Sequence, residues 1–404
     1  MRVRHVAKCM LLIAAASLSA SCETSKAVTS NVKTVYNGGH VDSDQLTTAL
    51  KDDSVVMGKQ IRDLSAKMAA AMATLRANVQ KRWGQNDTKT ADRTTYVKYT
   101  QGYKSRVITD FNKGTLTVET LDQADPQGSL KTAIIAALLT SNDPGAVDLF
   151  SDKDVSIDAN RRPYLYGLVH DEQGKSIGTR PQAEKFAQYL IAQKLQTRSV
   201  TGDQGAQTSR FVVVQMVKNF EDKGAEKYRV SVAKYSAKYN VSPTLVLAIM
   251  RTESNYNPFA VSSAPAYGLM QLVPPSGGRE AYKRVTGNDE TPTAEYLYDP
   301  EHSIELGTAL LGELNSSDFK GVNNQDSRDL CVIAAYNTGA GNVTKTFDKN
   351  SKTAIADING LDSTALYERL RTGLPYPETR QYVVKVTGYR KQFASAAAPT
   401  TALQ

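Results

Sequence analysis

A single carboxylic acid near the end of an apolar segment is the strongest chemical signal in this chain. Ile249-Met250-Arg251-Thr252-Glu253-Ser254-Asn255-Tyr256-Asn257-Pro258 closes on turn-forming residues. Gly268-Leu269-Met270-Gln271 and then Ala335-Tyr336-Asn337-Thr338-Gly339 follow downstream. On a helix starting at Pro243, Val246, Ile249, Met250 and Glu253 fall at i, i+3, i+4 and i+7 and share one face. The carboxyl therefore continues an apolar stripe, and it lies in the last turn, where the helix dipole is negative. Desolvation and the dipole both disfavour the anion and raise the pKa, as a general acid near neutral pH requires. The structural alternative is a glutamate at a helix end that bonds a neighbouring loop. Gly268 allows close backbone approach. Gln271 brings donors and an acceptor suited to sugar hydroxyl and acetamido groups, and Tyr336 and Asn337 add a ring hydroxyl and an amide. The ordered set reads as a single-acid site for a sugar polymer.

The elements that must position these groups are mainly helical beyond residue 220. Tyr228–Tyr239 is predicted helical, ended by Asn240. Ser242-Pro243 predicts an N-cap followed by proline at the first helical position, with the helix running to about Ser254. Further helices are expected at 276–285, 302–314, 328–336, 363–371 and 379–393, and the Ala/Thr-rich tail from 394 is expected to be disordered. Upstream, residues 95–217 read as an α+β unit. Ser105–Phe111 and Thr115–Leu121 flank Asn112-Lys113-Gly114 as a β-hairpin. Leu130–Leu139 and the segment around Phe186–Leu190 read as helices, and Tyr164–Val169 and Phe211–Val217 as strands. This unit carries no catalytic signature and is expected to position the rest or to meet a partner. Residues 54–83 have helical apolar spacing, and the polar stretch 23–53 reads as a tether. The fold class is thus α+β: signal peptide 1–21, tether and helix 22–90, accessory domain 91–218, helical catalytic domain 219–393 and tail 394–404.

The N-terminus sets the compartment. Arg2, Arg4 and Lys8 precede the apolar run Met10–Leu18 and then small residues up to Ser21-Cys22, the pattern of a secretory signal, too short to span a membrane. Cys22 at the small-residue boundary suggests a lipidated first residue of the mature chain. Ser19 stands where leucine is usual, and ordinary cleavage leaving a free Cys22 is the alternative. Of three cysteines, Cys9 leaves with the signal and Cys331 sits among apolar neighbours as a buried thiol, so no disulfide framework exists. The four histidines are far apart, and no metal or other cofactor is expected. A net charge of +8 suits anionic peptide stems or anionic lipid head groups, or serves solubility alone. Nucleic acid is excluded as a partner for an exported chain without a recognition motif.

The segments Glu253-Ser254 with Asn257-Pro258, Ala260-Val261-Ser262, Gly268-Leu269-Met270-Gln271, Ala335-Tyr336-Asn337 with Gly339, and Glu378-Thr379-Arg380 with Tyr382-Val383 resemble the soluble-lytic-transglycosylase type of catalytic domain, which is lysozyme-like. Tyr96–Thr100, Gly114–Thr120 and Asn142-Asp143-Pro144 with Val147-Asp148-Leu149 resemble the membrane-bound lytic murein transglycosylase C subfamily. The resemblance implies non-hydrolytic cleavage of peptidoglycan between N-acetylmuramic acid and N-acetylglucosamine, leaving a 1,6-anhydro end. It implies Glu253 as the acid and base, with Ser262, Met270, Gln271, Tyr336 and Asn337 at the substrate. Glu378 and Arg380 match the last motif, as a buried structural pair, as supports of the site or in a direct role at the substrate. The resemblance further implies peptidoglycan strands, the outer membrane (through Cys22, since Glu23 is not an aspartate) and wall-synthesis or divisome proteins as partners, at the periplasmic face of the outer membrane of a Gram-negative bacterium. Tyr267 departs from the pattern and is expected to line the groove. Two other readings stay open. A hydrolytic muramidase would use a second carboxylate, for which Asp289, Glu290, Glu295, Asp299 and Glu301 are candidates. A non-catalytic wall-binding lipoprotein would not cut glycan at all.

Overall fold

The computed structural model describes residues 43–397 except Pro144 and Ala146, so the expectations for the signal, Cys22 and the far tail lie outside the described residues. The first element is a long helix, α1 (Ser43–Trp83). It begins well before the predicted start at 54 because no glycine or proline interrupts Ser43–Met57, so the polar stretch read as tether propagates as helix. The helix becomes anchored toward its end, where Met68, Leu75, Val79 and Trp83 are buried.

Five antiparallel strands follow: β1 (Thr95–Thr100), β2 (Ser105–Asp110), β3 (Thr115–Thr120), β4 (Gln196–Gly202) and β5 (Gly205–Gln215), in the order β1-β2-β3-β5-β4. The β2–β3 hairpin forms where predicted, with Asp110 opposite Thr115 and Gly114 at φ 62°. The Asp110 carboxylate accepts from the amides of Asn112 and Lys113, which tightens the turn. Helices α2 (Pro126–Leu139) and α3 (Arg180–Lys194) complete this unit; α2 packs on the sheet through buried Leu130, Ile134 and Leu138. Glu119 ties β2, β4 and β5 together, and its partner Arg106 joins them to α1. The Glu119 carboxylate takes Arg106 on one oxygen (2.9 Å) and Arg198 and Ser209 on the other (2.9 and 3.2 Å). The Arg106 guanidinium lies 3.9 Å from the centre of the Trp83 ring.

Tyr164–Val169 is not the predicted strand. It is a run of tight turns, with Gly167 at φ 77° and only isolated bridges. Tyr164, Leu165, Leu168 and Val169 are all buried, and a short apolar run signals burial without saying how the backbone achieves it. β4 escaped prediction because it is a polar edge strand.

The remainder is helical: α4 (Phe220–Tyr239), α5 (Pro243–Ser254), α6 (Arg279–Thr286), α7 (Ala294–Tyr298), α8 (Pro300–Glu313), α9 (Gln325–Thr338), α10 (Ala340–Lys345), α11 (Ser351–Asn359), α12 (Ser363–Gly373) and α13 (Pro377–Ala397). Asn240 ends α4 in the left-handed conformation. Pro243 opens α5 as predicted, but Ser242 makes no cap bond; its hydroxyl pairs with that of Thr244 at 2.9 Å. α13 runs on to Ala397, into the first residues of the tail read as disordered from 394, since alanine is the best helix former; the rest of that tail lies outside the described residues. Cys331 is a buried free thiol on α9.

The accessory and helical units share one core. Phe259, fully buried, inserts between Tyr96 on β1 (4.5 Å between ring centres) and Tyr164 (5.2 Å, edge to face). The Asn255 amide donates to the Phe111 carbonyl at 2.6 Å, and the Asn257 amide to the Arg93 carbonyl at 3.2 Å.

Candidate active site

α5 is buried almost all round, from Leu245 to Met250, between α4 and α13. Glu253 therefore stands at the end of a core helix and not merely on an amphipathic stripe. It is 6% exposed. Beyond it the backbone turns sharply: Asn255 (φ 46°) and Tyr256 (φ 64°) are both left-handed, a conformation that costs non-glycine residues energy and needs support. The Asn255 amide bond to Phe111 and the Tyr256 hydroxyl bond to the Leu247 carbonyl (3.2 Å) supply it.

The chain then returns so that Glu253 opens into a cavity of about 440 Å³. Gly268 (φ 72°) makes the return feasible: a Cβ there would lie 2.2 Å from the Leu297 carbonyl oxygen. The Ser254 hydroxyl ties α5 to this loop through the Leu269 carbonyl at 2.9 Å.

Of the residues singled out in the sequence, Glu253, Ser262, Gln271, Tyr336, Asn337 and Glu378 line this cavity. Ser262 bonds the Ala264 carbonyl at 2.5 Å and closes its loop. Gln271 gives its amide nitrogen to the carbonyls of Ala260 and Gly268 (3.1 and 3.0 Å), and its buried side-chain oxygen has no protein partner. Asn337 is the complement: its oxygen accepts from the Thr379 hydroxyl at 2.7 Å, which leaves its amino group as the donor this cavity-lining residue can offer. The Tyr336 hydroxyl donates to the Met270 carbonyl at 2.8 Å.

Four expectations need correction. The Met270 side chain does not reach the cavity; it is fully buried and fills the space beside Gly307. Tyr267 is buried against Tyr298, 5.2 Å between ring centres, and does not line the groove. Glu378 and Arg380 are not a buried pair: the Glu378 side chain is 68% exposed beside Arg93, while Arg380 bonds the Thr372 carbonyl at 3.0 Å. Successive positions on α13 point 100° apart, so the two cannot share a direction. None of Asp289, Glu290, Glu295, Asp299 and Glu301 lines the cavity. Asp289 is held by Arg279 (2.7 Å), Asp299 caps α8 and Glu301 takes Lys234 (2.9 Å).

Sequence reasoning gave no role to two neighbours of Glu253: Tyr382, noted only as part of the last motif, and Arg93, not singled out at all. The Tyr382 hydroxyl donates to Glu253 Oε1 at 2.8 Å, and Arg93 stands 3.7 Å from Oε2. Thr379, Tyr382, Val383 and Val386 recur at i, i+3, i+4 and i+7 on α13 and are all buried, so hydroxyls on an otherwise apolar face were a usable signal. Arg93 offered none, lying in a polar run before β1. Burial pushes the Glu253 carboxyl up to about 7; Arg93 and the Tyr382 hydroxyl pull against burial, and the Glu378 charge adds to it. Tyr382 and Tyr336 are raised well above the ordinary tyrosine value, chiefly by burial, so both stay protonated. Glu253 can give and retake a proton at neutral pH beside an amide acceptor and an amide donor; the same cavity is also lined by Glu280, which burial raises to about 7, and by Asp318, raised to about 6. Among the described residues no group of three His, Cys, Asp or Glu side chains could hold a metal ion.

Residues 59–227 match the family model of the membrane-bound lytic murein transglycosylase C N-terminal domain, and residues 231–359 match that of the transglycosylase SLT domain. Membrane-bound lytic murein transglycosylase C of Sodalis glossinidius (strain morsitans) is 42% identical over 316 residues, 78% of this chain and 87% of that protein. Its namesake in Serratia proteamaculans (strain 568) is 40% identical over the same shares. The crystal structure of the 70 kDa soluble lytic transglycosylase from Escherichia coli is 26% identical over 42% of this chain and 24% of its own, with a TM-score of 0.33.

Proposed function

The chain belongs to the membrane-bound lytic murein transglycosylase C family, and from that premise we propose that Glu253 alone carries out a non-hydrolytic cut of the peptidoglycan glycan. The observation that carries the role of Glu253 is its buried carboxyl, raised to about 7, opening into the cavity. Protonated Glu253 gives its proton to the glycosidic oxygen between N-acetylmuramic acid and N-acetylglucosamine as the bond to muramic C1 breaks. The C6 hydroxyl of the same muramic residue then closes on C1, and Glu253 takes the hydroxyl proton. One bond is exchanged for another, the acid is regenerated, and no water is consumed. The acetamido group of the substrate assists at C1, which removes the need for a carboxylate nucleophile. The side-chain oxygen of Gln271 suits an N–H or hydroxyl donor of the sugar, and the amino group of Asn337 suits a carbonyl. Tyr336 and Ser262 shape the wall. Tyr382 holds one carboxyl oxygen, so the proton in flight belongs to the other. Glu253→Gln is expected to lower turnover about a thousandfold or more with glycan binding retained; turnover within tenfold of the parent would refute the role of Glu253.

The family name supports membrane association in Gram-negative bacteria. Among the described residues no helix is long and apolar enough to cross a membrane. We place the chain at the periplasmic face of the outer membrane, anchored by lipid on Cys22, on the basis of its leader sequence and of Glu23. A radiolabelled fatty acid should enter the parent and not Cys22→Ala.

A further inference from the structure

We propose that Arg93, contributed by the accessory unit, is a positioning residue of the active site: it holds Glu253 Oε2 in place and stabilises the carboxylate that forms when Glu253 releases its proton. The inference rests on Glu253 being the acid, as proposed above.

The geometry divides the two oxygens of Glu253. Oε1 accepts from Tyr382, and Oε2 faces Arg93 at 3.7 Å. Arg93 also lies 4.0 Å from Glu378 Oε1, so one cation stands between the buried carboxyl and an exposed one. Its backbone is fixed from the catalytic side. The Arg93 carbonyl accepts from the Asn257 amide, the Asp92 carbonyl from the Val261 amide at 3.4 Å, and the Asp92 side chain closes a turn on Thr94 and Thr95 (2.8 and 2.7 Å). Asn257 and Val261 belong to the loop that follows Glu253. The accessory unit is thus stitched to that loop at the position from which an arginine reaches the acid.

The charged and titratable groups facing Glu253 are few. α13 brings Glu378 and Tyr382, α9 brings Tyr336, and the segment before β1 brings Arg93. α4, the other helix against α5, presents Glu221 to Arg251, two positions before Glu253 and so turned about 200° around the helix. Arg93 is the one cation in this set. As the proton leaves, negative charge develops in a buried place, and a cation a few ångströms away favours that charge. Glu378 acts on Glu253 with the opposite sign.

The test is the pH dependence of kcat and kcat/KM for Arg93→Gln, Arg93→Lys and Glu378→Gln in the full-length protein, with isolated peptidoglycan sacculi as substrate and thermal melting to confirm folding. Without Arg93 the acid is weaker. The alkaline limb should move to higher pH and the plateau kcat should fall roughly threefold to tenfold, with KM nearly unchanged. Arg93→Lys should restore the limb toward the parent position. Glu378→Gln should move it the other way, to lower pH. Folded Arg93→Gln whose limb stays at the parent pH overturns the proposal and reduces the contact to a structural latch, as does a limb that moves the same way in Arg93→Gln and Glu378→Gln. A failure of the Glu253 reading is separate: it would show as turnover retained in Glu253→Gln.

Discussion

Burial alone would make Glu253 a poor proton donor at neutral pH, because a fully desolvated carboxyl holds its proton too tightly. The site tempers burial with one hydroxyl and one guanidinium, and the result is an acid near 7. The sign of the pH dependence follows. Glu253 must carry its proton to start the reaction, so activity requires pH below the folded-state pKa and is lost above it. kcat/KM on sacculi should fall about tenfold per pH unit above about 7. A limb near the ordinary glutamate value would mean that another group sets the profile. The residue scale was partly legible in sequence. Glu253, Gln271, Tyr336 and Asn337 could be picked by type and order. Met270 and Tyr267 could not be placed, since whether a large side chain faces groove or core depends on packing from α8 and on Tyr298, far away in sequence. Arg93 reaches Glu253 only because two units dock.

At the scale of elements, the site depends on the loop from Tyr256 to Leu272 closing back over the end of α5. Gly268 is its tightest point. Gly268→Ala puts a Cβ against the Leu297 carbonyl and a non-glycine residue at φ 72°. It should cost roughly 2–4 kcal/mol, measured by denaturant unfolding, and lower activity through displacement of Gln271. A cost under 0.5 kcal/mol would mean that the loop relaxes freely. The helices were legible because α4, α5, α8, α9 and α13 carry apolar periodicity or clear caps. Short α7 and α10 escaped because five or six residues give too little pattern, and α11 escaped as well. The turns at Tyr164–Val169 escaped because their burial is set by β1 and Phe259 and not by local alternation.

At the scale of the molecule, the accessory and helical units act as one body around the aromatic set Tyr96, Tyr164 and Phe259. The single tryptophan, Trp83, reports on the accessory unit, and far-ultraviolet circular dichroism reports mainly on the helical one. Both signals should change in one coincident unfolding transition. Phe259→Ala should lower stability by about 3–5 kcal/mol and separate the two signals. Coincident curves with a loss below 1 kcal/mol would show that the units do not depend on this contact.

The central claim is that one carboxyl makes the cut without water. It is tested most directly by mass spectrometry of sacculi digested by the purified protein in ¹⁸O-labelled water. The account predicts muramic ends in the 1,6-anhydro form with no ¹⁸O incorporated. Reducing ends carrying ¹⁸O would contradict it.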